Sequence, residues 1–512
     1  MFKKLPGKIA IILLSLLVLT TGCGAKGAAT TTTTAVKEGG TLNIALSADA
    51  PKLDPSLSSS VYDRYIFQSI FDKLVDLDKD GKIVPMLADK WDISADGLNY
   101  TFTLHPGVKF QDGTDFNAEA VKFNFDRNME NASPRKNELS EVNTVTAVDP
   151  LTVKVVLKHP FTPFLSILTD RSGMMVSPTA VKKLGVDFVN NPVGTGPFTF
   201  KEKIKGSTIT VVKNPNYWQK GLPHLDQVVY KIITDANVAA VNLKSGQVDM
   251  TDWRFPTKEI ENFKTISNMT VLSQSGQGYI GFYLNVTKPP FDQKELRQAI
   301  DVLIDRDAMV KLIKNGAATA GRSPFAPGNL AFGDSDKYQQ PDLAKAKALL
   351  AKAGKPDGFT FTFKTGTSPD NQRSAEMIQS MLKPAGITMN IEKLEFGTML
   401  DQTQKGNFEA SATSWSGRLD PDQNVYDQNV TAGPQNYSKY SNPQVDKLLQ
   451  DARKELDLGK RKVIYDQAMT IINEELPYIY LYHENNVFGI SNQVKGFELI
   501  SDGLIRPVKL SK

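Results

Sequence analysis

Residues 87–113 read LADKWDISADGLNYTFTLHPGVKFQDG, and this stretch carries the pattern that decides the fold. Residues 100–104 alternate polar and apolar side chains, as a half-buried strand does. The segment before them arrives through a turn at Asp96-Gly97, and a second glycine-containing turn follows at Gly107. Alternating segments joined by such turns predict antiparallel hairpin geometry, followed by a helix over residues 118–127.

The flanking sequence supplies further strand and helix patterns. Residues 41–46 alternate as a second half-buried strand, whereas residues 62–74 have the apolar spacing of an amphipathic helix. Residues 294–313 also have helical spacing, and Asp305-Arg306 within them is typical of a structural salt bridge or helix cap.

The segment Gly194-Thr195-Gly196-Pro197 combines backbone freedom with a fixed φ before a strand that begins at Phe198. This combination suits a chain that crosses between two lobes. A loop that cradles phosphate is the alternative interpretation, but the lysine and the following helix that such loops use are missing.

The chain begins with the pattern of a secretory signal peptide over residues 1–22. Three lysines precede an apolar run over residues 9–19, and this run is too short to span a bilayer. Cys23 is the only cysteine in 512 residues and directly follows Thr21-Gly22. This arrangement resembles the lipobox of bacterial lipoproteins, with Thr20 where leucine is usual, and the resemblance implies that Cys23 is acylated. A catalytic or redox role has less support, because no histidine lies nearby in the sequence.

Residues 23–38 are predicted to be a disordered, lipidated tether. They include an unbroken threonine run at residues 30–34 and are too polar to bury a core. We therefore expect the protein outside the cytoplasmic membrane, on its outer face or in the periplasm, held by a lipid anchor.

The composition excludes several classes of function. The formal net charge is only +4, without a long basic block or zinc-type cysteine spacing, so nucleic acid is not an expected partner. The four histidines are far apart in the sequence, and neither a P-loop nor a Gly-x-Ser-x-Gly elbow is present. We therefore expect no catalytic residue, no metal site and no cofactor.

A series of motifs resembles the family 5 solute-binding proteins of ABC importers, the peptide, opine and nickel group. Residues 87–113 resemble the family signature, with His105 where many members carry arginine. Further matches follow in the family's order: NPVGTGPF at 191–198, NYW at 216–218, LKSGQVD at 243–249, PF at 290–291, LRQAI at 296–300, IDR at 304–306, KAKALL at 345–350 and AG at 353–354.

The resemblance implies an α/β protein with a two-lobed, periplasmic-binding-protein type II fold and an additional third domain. Lobe I would be discontinuous and combine residues 39–72, 176–272 and 488–512. An inserted domain II would cover residues 73–175, and lobe II, the third domain, would cover residues 273–487. The ligand would lie between the lobes, which would close by hinge motion.

Residues 414–422, SWSGRLDPD, place an indole, a guanidinium and two carboxylates where a regular element must end. Trp415 offers a face for stacking, Arg418 a fork for a carboxylate, and Asp420 or Asp422 acceptors for an amine. The alternative is that Arg418 pairs with one of these aspartates at the surface and that Trp415 is ordinary core.

The family's peptide binders carry a Trp-x-x-Asp motif whose aspartate pairs with the peptide's α-amino group. Here Trp415 matches the tryptophan, but Arg418 occupies the aspartate's position. The resemblance therefore implies a ligand that presents a carboxylate to Arg418, with Asp420 or Asp422 available to hold the arginine or receive an amine.

Other candidate ligand-binding residues come from places where the chain should cross the cleft. They are Trp253 after a predicted strand, Tyr279 at the start of lobe II, Arg322 in a loop that the family uses near its pocket, and Tyr62. Each has a core or surface role as its alternative, and the same holds for Arg254.

The implied function is capture of a small polar, carboxylate-bearing solute, such as a peptide, an opine or a glutathione-like conjugate. The expected partners are that solute, an ABC permease with cytoplasmic ATPases, and the membrane through the lipid anchor; the protein is expected to be a monomer. The alternatives are a peptide sensor or receptor lipoprotein, a nickel-chelate binder, and a hydrolase on the same fold.

Overall fold

The structure, a computed structural model, describes residues 37–512, which form one compact unit. The predicted signal peptide, Cys23 and most of the predicted tether lie outside the described residues.

The described residues form strands and α-helices that alternate along most of the chain. The strands are β1 (Thr41–Leu46), β2 (Val75–Leu77), β3 (Ile83–Pro85), β4 (Ala88–Ile93), β5 (Asn99–Leu104), β6 (Val142–Asp149), β7 (Thr152–Leu157), β8 (Phe198–Ile204), β9 (Thr208–Lys213), β10 (Gln227–Ile232), β11 (Met250–Thr251), β12 (Met269–Ser275), β13 (Ile280–Leu284), β14 (Ala318–Ala320), β15 (Thr360–Gly366), β16 (Thr388–Leu394), β17 (Ala410–Ser411) and β18 (Tyr478–Ser491). The helices are α1 (Val61–Ile70), α2 (Ala118–Asn128), α3 (Phe164–Ile167), α4 (Pro178–Leu184), α5 (Ala236–Lys244), α6 (Ile260–Lys264), α7 (Lys294–Asp301), α8 (Arg306–Lys314), α9 (Leu343–Lys352), α10 (Pro369–Leu382), α11 (Phe396–Gln404), α12 (Asp422–Asn429), α13 (Pro443–Lys454) and α14 (Leu458–Glu475).

A mixed 12-stranded sheet organises the molecule and confirms the α/β prediction. Its main order is β16-β15-β17-β13-β18-β11-β1-β10-β9-β8, and β12 and β14 also pair with β18. The long strand β18 connects the two halves of the sheet, because its first residues pair with β13 and its last seven pair with β12. Each half has its own core, one around Leu42 and Ile44 of β1 and one around Phe361 and Phe363 of β15.

Two connections link the halves of the sheet. One is β18, and the other is the short segment Gly276-Gln277-Gly278 between β12 and β13. The Gly276 N–H donates to the Glu484 carbonyl at 2.9 Å, so the two connections lie side by side. The predicted domain limits after residues 272 and 487 fall inside β12 and β18.

The stretch 87–113 builds a separate, smaller sheet. β4 and β5 pair as the predicted hairpin and continue into a four-stranded antiparallel sheet in the order β4-β5-β7-β6. The polar and apolar alternation of β5 is borne out, because Tyr100, Phe102 and Leu104 are buried in the core between this sheet and α2.

Gln111, near the end of the same stretch, fastens the small sheet to the large one. Its Nε2 donates to the carbonyls of Ile70, Gly196 and Phe198 at 3.1, 3.1 and 2.8 Å. Gly194 lies so close to α1 that a Cβ there would be 2.2 Å from the Ile70 carbonyl oxygen. Glycine is therefore needed at this position because the backbone passes so close to α1 that no side chain fits.

Two predicted helices have different limits in the structure. The helix predicted over residues 62–74 ends at Ile70, because Phe71 is extended and begins the path to β2. The pattern over residues 294–313 corresponds to α7 and α8, which are separated by a break. Asp305 caps α8 by accepting from the Ala308 N–H at 2.8 Å, as a residue at this position was predicted to do.

Candidate functional site

A cavity of about 510 Å³ lies between the two halves of the large sheet. Its walls include Val61, Arg64, Asp170, Trp253 and Asp502 from one side, Tyr279, Trp415, Arg418 and Tyr437 from the other, and the connecting segment Gly276-Gln277-Gly278. The volume lies within the range of about 300–1,000 Å³ that is usual for small-ligand sites.

The loop that carries Trp415 and Arg418 is held against the connecting segment by its backbone. Trp415 and Tyr279 exchange two backbone hydrogen bonds of 3.0 and 3.1 Å. Gly417 has a φ of +75°, and a Cβ there would lie 2.0 Å from the carbonyl carbon of Gln277. Only glycine fits this position, which explains the small residue between the tryptophan and the arginine.

The Arg418 guanidinium lies at the cavity wall, with its central carbon 5.1 Å from the centre of the Trp415 ring. Nη1 donates to the Gly417 carbonyl at 2.6 Å and to the Ser416 Oγ at 3.2 Å. Nε is 4.0 Å from the Asp170 carboxylate. Burial, together with the nearby Arg64, lowers the pKa of Arg418. The cation is therefore held in place while its charge is only partly compensated.

Asp170 is the carboxylate around which the cationic side chains of the cavity gather. Arg64 donates to it at 3.0 Å, and the Nε atoms of Arg171 and Arg418 lie 3.9 and 4.0 Å away. Burial opposes ionisation of this carboxyl, but the guanidinium groups outweigh burial and hold its pKa well below the usual range. Asp170 is consequently ionised and shared among three arginines.

Trp253 and Tyr279 also line the cavity. The Trp253 ring lies 4.7 Å from the guanidinium carbon of Arg254, and its Nε1 is buried without a hydrogen-bond partner among residues 37–512. Tyr279 is 2% exposed and packs edge-on against Tyr478 and Tyr480. The structure thus brings together Trp253, Tyr279, Trp415 and Arg418 from the predicted set.

Asp420 and Asp422 do not lie in the cavity wall, which corrects the prediction that they hold Arg418 or receive an amine. Both Asp420 oxygens accept from the Arg461 guanidinium at 2.7 Å, and Asp422 accepts from Arg453 at 3.0 Å. Burial raises the pKa of Asp422 to about 6. Their partners belong to α13 and α14, so these two carboxylates fasten the loop to the helices behind it.

Arg322 and Tyr62 also lie away from this cavity, contrary to the prediction. Arg322 donates to Asp301 at 3.0 Å. Both residues line a second cavity of about 490 Å³, whose wall also includes residues of α9 and α14. The Tyr62 hydroxyl is 3.2 Å from the Ser47 Oγ, and its ring packs on the core around β1. The face of α1 that reaches the cavity carries Val61 and Arg64.

Arg64 and Asp170 are the important residues that the sequence did not indicate. They are 106 positions apart, and no local motif surrounds either one. The only available signal was the three-residue spacing of Val61 and Arg64, which places both on one face of a helix.

Two further properties concern residues 37–512 as a whole. In that part of the chain, three or more His, Cys, Asp or Glu side chains are nowhere grouped so that they could hold a metal ion. Its helices also lack the combination of length and apolar character that is needed to cross a membrane.

A cavity walled by both halves of one sheet, with two side-by-side connections behind it, defines a two-lobed protein that binds small molecules in its cleft. The sequence matches the bacterial extracellular solute-binding proteins, family 5, over residues 82–437. The chain belongs to this family, whose members bind substrates for ABC importers outside the cytoplasm and are transport proteins rather than enzymes. The fold is the family's arrangement of two lobes and an additional domain.

Relatives and solved structures cover nearly the whole chain. The glutathione-binding protein GsiB of Pectobacterium atrosepticum is 33% identical over 476 residues, which are 90% of this chain and 92% of that protein. The periplasmic binding protein DppA of Helicobacter pylori, solved with the peptide STSA, is 31% identical with a TM-score of 0.83 and covers 93% of this chain and 99% of its own. AgaA of A. tumefaciens R10, solved with agropinic acid, is 29% identical with a TM-score of 0.81 and covers 92% of this chain and 98% of its own.

Proposed function

We propose that this protein captures a small peptide-like solute that bears a carboxylate and delivers it to the permease of an ABC importer. The observation that carries the proposal is Arg418, whose partly compensated guanidinium lies in the wall of the interlobe cavity. A ligand carboxylate at Arg418 would gain a charge-assisted hydrogen bond and relieve the cost of a buried cation.

The chemistry of the relatives' ligands supports this proposal. Glutathione, the peptide STSA and agropinic acid are all named for proteins with which this chain aligns almost end to end. Each of these molecules carries at least one carboxylate. The aromatic side chains of Trp253, Tyr279 and Trp415 add surface on which apolar parts of such a ligand can pack.

Isothermal titration of residues 37–512 with glutathione, short peptides and opines tests the proposal. We expect at least one of these carboxylate-bearing compounds to bind to the wild type. We expect the Arg418→Gln variant to bind the same compound about 10- to 100-fold more weakly. Arg373→Gln is the matched control, because Arg373 is exposed and pairs with Asp370 outside the cavity. Equal binding to the wild type and Arg418→Gln would show that Arg418 has only a structural role.

We further propose that Cys23 carries the lipid anchor. The support is its position directly after Thr21-Gly22 and the apolar run over residues 9–19. In cells fed a palmitate analogue, the wild-type protein should become labelled and remain with the membrane. Cys23→Ser should be unlabelled and released, and labelling of that variant would contradict the proposal.

The division into domains at the predicted residues also remains a proposal. Its support is that residues 74–175 contribute a separate hydrophobic core, whereas the strands of the large sheet contribute the others. Limited proteolysis that cuts first near residues 73 and 175 would agree with this division.

A further inference from the structure

Four arginines and only two carboxylates form a charged cluster that lies behind the interlobe cavity and reaches both of its sides. The arginine cluster consists of Arg64, Arg135, Arg171 and Arg418 with Asp170 and Glu138. Among residues 37–512, every ion pair of these four arginines ends on one of these two carboxylates, and three of the arginines share Asp170.

Arg135 and Arg171, the two members of the cluster that do not line the cavity, also lack some of the hydrogen bonds and counter-charge that a buried guanidinium needs. Arg135 and Arg171 are 5% and 3% exposed, and the Nε of each is buried without a hydrogen-bond partner in the described chain. Burial lowers the pKa of Arg171 to about 9. Buried cations without counter-charge are costly, and proteins retain such arrangements where function requires them.

The other two carboxylates of the cavity wall form their ion pairs with cations outside the arginine cluster. Asp502 pairs with Arg506 at 2.8 Å, and Glu484 pairs with Lys314. The positive field of the arginine cluster therefore acts on whatever occupies the cleft.

Arg64 and Arg418 are the two members of the cluster that line the cavity. Arg64 uses only its Nε for Asp170, and its two Nη atoms donate to no residue between positions 37 and 512. Arg418 uses Nη1 for backbone and serine contacts, while its Nη2 has no hydrogen bond within the same residues. Donors from two arginines on opposite sides of the cleft thus remain for a ligand.

We propose that the cavity selects solutes with two carboxylates, one bound by Arg418 and the second by Arg64, an inference that rests on the function proposed above. Each ligand carboxylate adds a negative charge beside a cluster in which four arginines share two carboxylates at ion-pair distance. Arg135 and Arg171 strengthen the field from behind the wall without contacting the ligand. Arg64 then serves as a specificity-determining residue, because it distinguishes a dicarboxylate from an otherwise identical monocarboxylate.

Three pairs of tripeptides that differ only in glutamate or glutamine test this inference by isothermal titration of residues 37–512. The pairs place Glu or Gln at each position of Ala-Ala-Ala, so size and hydrogen-bonding capacity stay nearly constant. In at least one pair, the glutamate peptide should bind 10-fold or more tightly, as expected for one charge-assisted hydrogen bond. In Arg64→Gln, the same pair should bind within about 3-fold of each other.

Two controls separate specificity from folding. Arg64→Gln removes one excess cation, so without ligand its melting temperature should equal or exceed that of the wild type. Arg373→Gln, an exposed arginine outside the cavity, should preserve the full difference between glutamate and glutamine.

Each outcome is decisive. Equal binding of all three glutamate and glutamine pairs overturns the dicarboxylate inference and leaves the proposed function standing. A glutamate preference that survives in Arg64→Gln also overturns it. The same holds if Ala-phosphoserine-Ala binds 10-fold more tightly than every glutamate peptide, because the cavity would then select one dianionic group rather than two carboxylates. Failure of every peptide, of glutathione and of the opines to bind overturns both proposals.

Discussion

Asp72 is a carboxyl that is completely buried, with 0% of its surface exposed. It accepts hydrogen bonds from the Trp218 Nε1 at 2.8 Å and the Tyr217 hydroxyl at 3.2 Å. Burial nevertheless outweighs these donors and raises the pKa of Asp72 from 3.8 to about 6. The ionised form of Asp72 is therefore less favourable in the folded protein than in the unfolded chain.

The first prediction is that Asp72→Asn flattens part of the pH dependence of stability. Because the folded pKa is the higher one, the stabilising contribution of Asp72 is complete below about pH 4 and is lost as the pH rises through about 6. The advantage of the Asn variant in free energy of unfolding should thus grow by about 2 kcal/mol between pH 4 and pH 7. Urea unfolding at several pH values measures it.

Asp149→Asn is a control of opposite sign. Asp149 is exposed, and hydrogen bonds from the Leu151 N–H and from Thr152 lower its pKa. This variant should lose stability relative to the wild type as the pH rises. An Asp72→Asn difference that is constant from pH 4 to pH 7 would contradict the first prediction.

The second prediction concerns Gly417, which combines a positive φ with a close contact. Gly417→Ala should cost about 1–3 kcal/mol in backbone strain and displace Arg418, because the new Cβ meets the backbone of Gln277. Gly107→Ala is the matched control, since Gly107 has a similar φ of +77° but nothing within 4 Å of a Cβ. Ligand affinity should fall in the first variant only, as measured by titration, and equal affinity in both would refute the role of the contact.

At the scale of elements, the loop between β7 and α3 meets the C-terminal end of α13. The Thr162 N–H donates to the Arg453 carbonyl at 2.9 Å, and the Thr162 Oγ1 donates to the Glu455 carbonyl at 2.8 Å. The guanidinium carbon of Arg453 lies 4.9 Å from the Phe161 ring and 3.6 Å from the Tyr426 ring. These contacts join the small sheet to the helical side of the large one without touching the cavity.

The third prediction is that Thr162→Val weakens ligand binding although Thr162 is outside the site. Loss of its side-chain hydrogen bond removes about 0.5–1.5 kcal/mol from the closed arrangement, which corresponds to an affinity about 2- to 10-fold lower. Thr470→Val is the control, because the Thr470 Oγ1 donates at the same distance of 2.8 Å but within α14. Unchanged affinity in Thr162→Val would show that this contact does not contribute to closure.

Local patterns predicted elements well and tertiary charge pairing poorly. The hairpin within residues 87–113, strand β1 and the Asp305 cap were all predictable, since each depends on neighbours a few positions away. Asp420 and Asp422 were assigned to the ligand because their partners, Arg461 and Arg453, are 41 and 31 positions further along the chain. Whether a carboxylate is free or paired depends on such distant contacts, which composition and spacing do not reveal.

At the scale of the whole molecule, the cleft can close only by changes in its two connections. β18 and the segment Gly276-Gln277-Gly278 lie side by side behind the cavity. A Cβ at Gly278 would be 2.5 Å from the Trp415 carbonyl oxygen, so the loop that carries Arg418 moves together with its connection. Arg64 and Arg418 lie on opposite sides, and a ligand that contacts both therefore binds the closed arrangement best.

The fourth prediction follows from this arrangement. In small-angle X-ray scattering, residues 37–512 should become more compact when saturated with the tightest-binding solute, towards the radius of gyration of about 23 Å expected for a compact chain of this length. In Arg64→Gln the same solute should compact the protein less at equal saturation, because one side of the cleft then offers fewer contacts and the closed state gains less from the ligand. Arg373→Gln should compact as fully as the wild type. Equal compaction in all three proteins would mean that Arg64 does not couple binding to closure, whereas identical scattering with and without ligand would show that the lobes are already closed before binding.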